Sequence, residues 1–109
     1  MKTTGGSKVY NLQWTAYSKN DYEELDRSQK ILVDKSLNRI RDIGMLAGQP
    51  CVGKLIGCRR IKHLKAGLRV IFRESSNSIE VIQIVAIGYR DKKSFYDTAT
   101  KRISDKDKN

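Results

Sequence analysis

One nine-residue run, Ile79-Glu80-Val81-Ile82-Gln83-Ile84-Val85-Ala86-Ile87, constrains this chain more than any other stretch. It is rich in β-branched residues, and its apolar side chains fall at both odd and even positions. Successive residues of a strand point to opposite faces, so such a run must be covered on both sides and belongs inside a sheet. With 109 residues, the chain has to supply that cover from a single domain.

Two further strands precede this run, predicted over 58–64 and 68–74, with the third over 79–88. Ile61 belongs to the core face of the first, and Leu68, Val70 and Phe72 to the core face of the second. Those residues share one side of the sheet only if residue 63 pairs opposite residue 68, across a short connection at Leu64 to Gly67. The same register gathers Arg60, Lys62, Arg69 and Arg73 on the opposite side. A turn around Ser75-Ser76-Asn77-Ser78, pairing 75 with 78, sets Glu80 beside Arg73 as a cross-strand pair. It also carries the even-numbered face through Ile84 and Ala86 to Arg90. Gln83 then falls on the core face, where an amide fits poorly, so a bulge is expected near it.

The remaining segments supply the cover. Residues 1–7 form a flexible N-terminus, 8–103 the folded domain and 104–109 a charged tail. Over Lys8 to Thr15, Tyr10, Leu12 and Trp14 alternate with Val9, Asn11 and Gln13, as in a half-buried strand with Trp14 in the core. Ser18-x-x-Asp21 and Asn20-x-x-Glu23 resemble capping boxes, which predicts a helix from about residue 19 to Leu25. A second helix is expected from Ser28, with Val33, Leu37, Ile40 and Ile43 on its apolar face and Gly44 as its stop. Gly48 to Leu55 nearly matches a phosphate-binding loop. Leu55, however, stands where a hydroxyl must reach magnesium, so 45–57 reads as plain connector. A last helix is expected from Ser94 to about Ile103. The whole is α+β: N-terminal strand, helical hairpin, three further antiparallel strands and a short C-terminal helix.

Charge indicates the class of partner. The formal net charge is +10, with 39% hydrophobic residues, so the excess positive charge rides on a folded body. Six Lys or Arg and no acid lie from Arg59 to Arg73. A basic surface on a sheet suits a polyanion, nucleic acid first. Cys51 and Cys58 have no partners at metal-ligand spacing and are too few for a disulfide scaffold, so they read as reduced structural thiols. No cofactor or metal is expected. No apolar run approaches a membrane span and no signal-peptide pattern is seen, which points to a cytoplasmic protein.

Arg60-Ile61-Lys62, Gly67-Leu68-Arg69-Val70-Ile71-Phe72, and Gly88-Tyr89-Arg90 followed by Phe95-Tyr96 stand in an order that resembles the RelE/ParE toxin superfamily. Lys54-Leu55-Ile56-Gly57 before the second strand adds to the likeness, and RelE-type messenger-RNA interferases of type II toxin–antitoxin systems are the better match. The resemblance implies a RelE-like fold and a ribosome-dependent endoribonuclease. Such an enzyme cuts messenger RNA in the ribosomal A site by attack of a ribose 2′-oxygen on the adjacent phosphate. It further implies Arg60, Lys62, Arg69, Arg90 and Tyr96 as catalytic residues, with Arg60 where the family often has Lys. A guanidinium there stabilises charge but does not shuttle protons. Arg69 and Arg90 suit a phosphate clamp, Lys62 a proton carrier and Tyr96 a stacking platform for an exposed base.

Arg59, Lys65, Arg73, Lys92 and Lys93 are the expected contacts to messenger and ribosomal RNA. The implied partners are a RelB-like antitoxin, the 70S ribosome with its messenger RNA, and operator DNA reached through the antitoxin. His63 shares the face of Ile61 and so stands apart from the cations. Each residue has a plainer role to set beside these. A strand cation is ordinarily solvated, and Tyr96 can simply pack the last helix on the sheet. The competing functions are a ParE-like DNA gyrase inhibitor without ribonuclease activity and a non-catalytic RNA-binding module.

Overall fold

The computed structural model describes residues 10–89 and 94–108. Its elements are β1 (Asn11–Trp14), α1 (Ala16–Glu23), α2 (Arg27–Ile43), β2 (Gln49–Pro50), β3 (Arg59–His63), β4 (Leu68–Glu74), β5 (Val81–Tyr89) and α3 (Ser94–Lys108). The sheet order is β1-β5-β4-β3-β2, with β5 and β4 at its centre. The α+β architecture is the expected one. Two details go beyond it: β1 pairs with β5 in parallel, and Gln49–Pro50 adds a two-residue edge strand inside the connector. The last helix also runs past Ile103 to Lys108.

α1 starts one capping motif earlier than the sequence indicated, whereas α2 begins at Arg27, beside the expected Ser28. Thr15, not Ser18, is the N-cap of α1: its hydroxyl accepts from the Ser18 amide, and Ser18 Oγ accepts from the Thr15 amide. Ser18 is fully buried, and the reciprocal pair satisfies it. Asp26 and Gln29 form the same device at α2. Gly44 ends α2 as expected, at φ +62°, and a side chain there would also run into the Tyr10 ring.

Two apolar layers cover the sheet. On one face Val33, Leu37 and Ile40 of α2 pack on Leu68, Val70, Phe72, Ile82, Ile84 and Ile87, with Tyr10, Leu12 and Trp14 at the margin. On the other, Phe95 and Ala99 of α3 pack on Ile71, Val85 and Ala86, together with Cys51, Leu55 and Cys58 of the connector. Cys51 and Cys58 are both buried, and a backbone bond runs from the Cys51 amide to the Cys58 carbonyl.

The β3–β4 register is the expected one, with His63 opposite Leu68 and Lys62 opposite Arg69. The β4–β5 register is not. Glu80 does not face Arg73; Gln83 does. The turn is longer than two residues because serine hydroxyls satisfy its amides: Ser75 Oγ accepts from Asn77 and Ser78 Oγ from Glu80, and the ladder resumes at Ser75–Val81. This offset is odd, so Ile82 and Ile84 face the α2 side and Gln83 the other. A bulge then restores the parity. Phe72 pairs with Ile84 and Ile71 with Ala86, leaving Val85 extra. From Ala86 onward β5 presents the faces the sequence indicated. Gln83 is buried but satisfied, accepting from Arg73 Nε at 3.0 Å and donating to Gln13 at 3.3 Å.

Candidate functional site

Where α3 and the connector lean over the β3–β4 face, they leave a cleft of about 570 Å³. It is lined by Arg60 and Lys62 of β3, Arg69 of β4, and Tyr96, Asp97 and Thr100 of α3. Cys51, Val52, Lys54 and Leu55 of the connector and Leu64 of the β3–β4 turn complete it. Lys62 and Arg69 are direct cross-strand partners, and Arg60 lies two residues along the same face, opposite Ile71. Like charges at such spacing repel, and the packing of the opposite apolar face holds them there.

The guanidinium groups are under-used by the protein. Arg69 is 3% exposed, and among the described residues its one side-chain hydrogen bond is from Nη1 to the Leu68 carbonyl, at 3.1 Å. Arg60 donates from Nη1 to the Pro50 carbonyl at 3.2 Å. Among the described residues, the Nε atoms of both are buried without a partner. A buried charged donor without an acceptor costs on the order of 1–3 kcal/mol, so two beside one cleft call for an explanation beyond stability. Lys62 is exposed at the cleft wall.

Tyr96 is fixed from behind. Its ring meets Phe95 edge to face, with centroids 5.1 Å apart, and Phe95 is buried against Gly88, where a Cβ would come within 2.7 Å of the ring. Glycine at 88 is therefore what allows α3 to approach the sheet and carry Tyr96 to the cleft. Arg102 anchors the helix further along. It forms a salt bridge to Asp21 at 2.7 Å and donates to the Val85 carbonyl at 3.0 Å, while Asp21 also accepts from the Ile87 amide.

Among the candidates, Arg60, Lys62, Arg69 and Tyr96 come together. Arg59 turns to the other face, opposite Phe72, and donates to the Gly48 carbonyl at 3.1 Å. Arg73 lines a separate small recess with Gln13 and Gln83, and Lys65 is exposed in the turn after Leu64. Arg90, Lys92 and Lys93 lie outside the described residues. His63 is where parity put it, 2.6 Å from Ser36 Oγ of α2. Burial, and after it the Lys35 charge, hold its pKa below the ordinary imidazole value.

Lys54 and Asp97 are cleft residues that sequence reasoning passed over. Lys54 sits in a connector whose path no periodicity reveals, and Asp97 follows Tyr96 in a helix whose orientation only the packing of Phe95 and Ala99 fixes. Among the described residues, no group of three or more His, Cys, Asp or Glu is placed to hold a metal. No helix among the described residues is long and apolar enough to cross a membrane.

No family model and no curated protein matches the sequence. Solved structures do. A double mutant of the E. coli toxin RelE in the free state superposes with a TM-score of 0.72 at 19% identity, over 87% of this chain and 98% of that one. The toxin–antitoxin complex RelBE2 from Mycobacterium tuberculosis matches at 0.62 and 16% identity, over 75% and 99%. The YoeB dimer from Staphylococcus aureus matches at 0.56 and 20% identity, over 74% and 97%. The strand order, the helical hairpin and the terminal helix are therefore those of the RelE toxin fold.

Proposed function

We propose that this protein is the toxin of a type II toxin–antitoxin pair and a ribosome-dependent endoribonuclease, cutting messenger RNA in the A site and so stopping translation. The observation that carries the reading is the convergence of Arg60, Lys62, Arg69 and Tyr96 on one cleft. In-line attack of a ribose 2′-oxygen on the next phosphate places charge on the non-bridging oxygens and on the departing 5′-oxygen. Preorganised cations in a partly dry site lower that barrier. The Arg69 and Arg60 guanidinium groups, with their unused donors, suit the non-bridging oxygens, and Tyr96 gives a ring on which an unstacked base can rest. The products are a 2′,3′-cyclic phosphate and a free 5′-hydroxyl.

A RelB-like antitoxin is the proposed silencing partner, and a net charge of +10 makes its association fast and salt-sensitive. Operator DNA is reached through that antitoxin. The test is primer extension on a translated message with purified protein and stalled ribosomes. Breaks inside the A-site codon that vanish in Arg69→Ala, while the variant still occupies the ribosome, support the enzyme. Intact message with folded protein rejects it, and arrest of replication before translation in cells favours a gyrase target instead.

A further inference from the structure

Among the described residues, Asp97 is the one carboxylate that lines the cleft, which it shares with Lys54, Arg60, Lys62 and Arg69. It stands in the first turn of α3, directly after Tyr96, and its side chain is exposed. Among the described residues it is bound to none of those cations. Thr100, one turn on, gives its hydroxyl hydrogen to the Tyr96 carbonyl and so is not spent on Asp97.

Attack by a ribose 2′-oxygen requires that the 2′-hydroxyl lose its proton. Arg60 and Arg69 cannot take it, since guanidinium groups keep their protons, and the Lys62 ammonium is a donor. His63 is on the far face of the sheet, held to Ser36. An aspartate is acceptor-only, and Asp97 lines the same cleft as the Tyr96 ring proposed to hold a base.

Resting on the nuclease reading, we infer that Asp97 accepts the proton of the attacking 2′-hydroxyl while the Lys62 ammonium supplies one to the leaving 5′-oxygen. The 2′-O–H bond breaks as its proton passes to the carboxylate. The 2′-O–P bond forms and the P–O5′ bond breaks, with the departing oxygen protonated by Lys62. Exchange of one proton with water restores each group, and nothing is oxidised or reduced.

The experiment is single-turnover cleavage of a translated message on stalled ribosomes by the full-length protein. Asp97→Asn is expected to cut about 10²–10⁴-fold more slowly and to lose the acid limb of the pH–rate profile, while Asp97→Glu keeps that limb and part of the rate. A message carrying sulfur in place of the bridging 5′-oxygen at the cut has a leaving group that needs no proton. It restores Lys62→Ala and leaves Asp97→Asn slow. A carboxylate that only steadies the helix N-terminus lowers the unfolding midpoint in Asp97→Asn without changing the pH profile. That result overturns the assignment, as does rescue of Asp97→Asn by the sulfur substrate. If wild-type protein leaves the message intact, the nuclease reading falls and this inference with it. If wild type and Asp97→Asn cut equally, the inference alone falls.

Discussion

Asp21 and Arg102, 81 positions apart in the chain, form a two-pronged ion pair with N–O distances of 2.7 and 3.2 Å. The pair sits where β5 runs out of partners. β1 ends opposite Ile84, and Val85 is the residue left out of the ladder with β4. Arg102 takes the Val85 carbonyl and Asp21 the Ile87 amide, so one ion pair closes the sheet edge and fastens α1, β5 and α3 together.

Breaking this pair should loosen α3 first. The two side chains are 19% and 18% exposed, well short of full burial. Removing one partner of a fully buried pair costs roughly 3–5 kcal/mol, so Arg102→Met or Asp21→Asn is expected to cost about 2 kcal/mol in urea unfolding after allowing for solvent screening. The double variant should cost less than the sum of the singles, because each single leaves the other charge uncompensated. Hydrogen exchange is expected to quicken across α3 before it does so in β4, and cleavage should fall with it, since α3 carries Tyr96.

Arg69 carries a conflict between stability and activity. It is buried at 3% exposure, its Nε has no partner among the described residues, and it faces Lys62 across the strands. Replacing a poorly compensated buried charge with an apolar side chain of similar length is often neutral or stabilising by about 1–4 kcal/mol. Arg69→Met is therefore expected to unfold at an equal or higher urea concentration than wild type. The same variant should cut at least ~100-fold more slowly, the scale of losing one charge-stabilising donor. A variant both unstable and inactive would show that Arg69 holds the sheet together rather than serving the cleft.

His63 sets a pH dependence of folding. Burial and Lys35 hold its folded-state pKa below the ordinary value, and its imidazole contacts Ser36 at 2.6 Å. As pH falls below about 6.5 the unfolded chain takes up a proton at this residue before the folded one does. Its contribution is thus fully present above that pH and is lost as pH drops toward the folded-state value. Urea midpoints measured between about pH 7.5 and 5 should decline more steeply for wild type than for His63→Gln, which cannot titrate. Equal slopes would remove His63 as the cause.

Much of this arrangement was legible in the residues. The alternation at Leu68, Val70 and Phe72 fixes the β3–β4 register, because a slip by one residue would expose all three. With that register Arg60, Lys62 and Arg69 share a face. The β4–β5 turn was not legible, since Ser75-Ser76-Asn77-Ser78 reads equally well as a tight turn or as part of a longer loop closed by serine hydroxyls. The odd offset and the Val85 bulge cancel from Ala86 onward, which is why Ala86 faces the expected way while Gln83 and Ile84 do not and Glu80 does not pair with Arg73. The cleft's third wall depends on how α3 packs, and nothing local in Ser94–Thr100 reveals that Asp97 joins Tyr96 there.

Lys54 tests the electrostatic half of the site alone. It projects from a short 3-10 turn, Gly53–Leu55, whose Leu55 is buried beneath, so the backbone carrying the charge is anchored. A lysine at the rim of a basic cleft attracts phosphate without reading sequence. Lys54→Ala should therefore weaken binding of single-stranded RNA evenly across sequences. It should also lower the slope of log affinity against log salt by about 0.7, the release expected for one phosphate contact on a single strand. Cleavage positions should stay where they are in wild type, because the stacking ring and the groups around the scissile phosphate are untouched. Titrations at several salt concentrations check the first part and primer extension the second. An unchanged salt slope would place Lys54 among the merely solvated charges, whereas a shifted cut site would give it a part in positioning the codon.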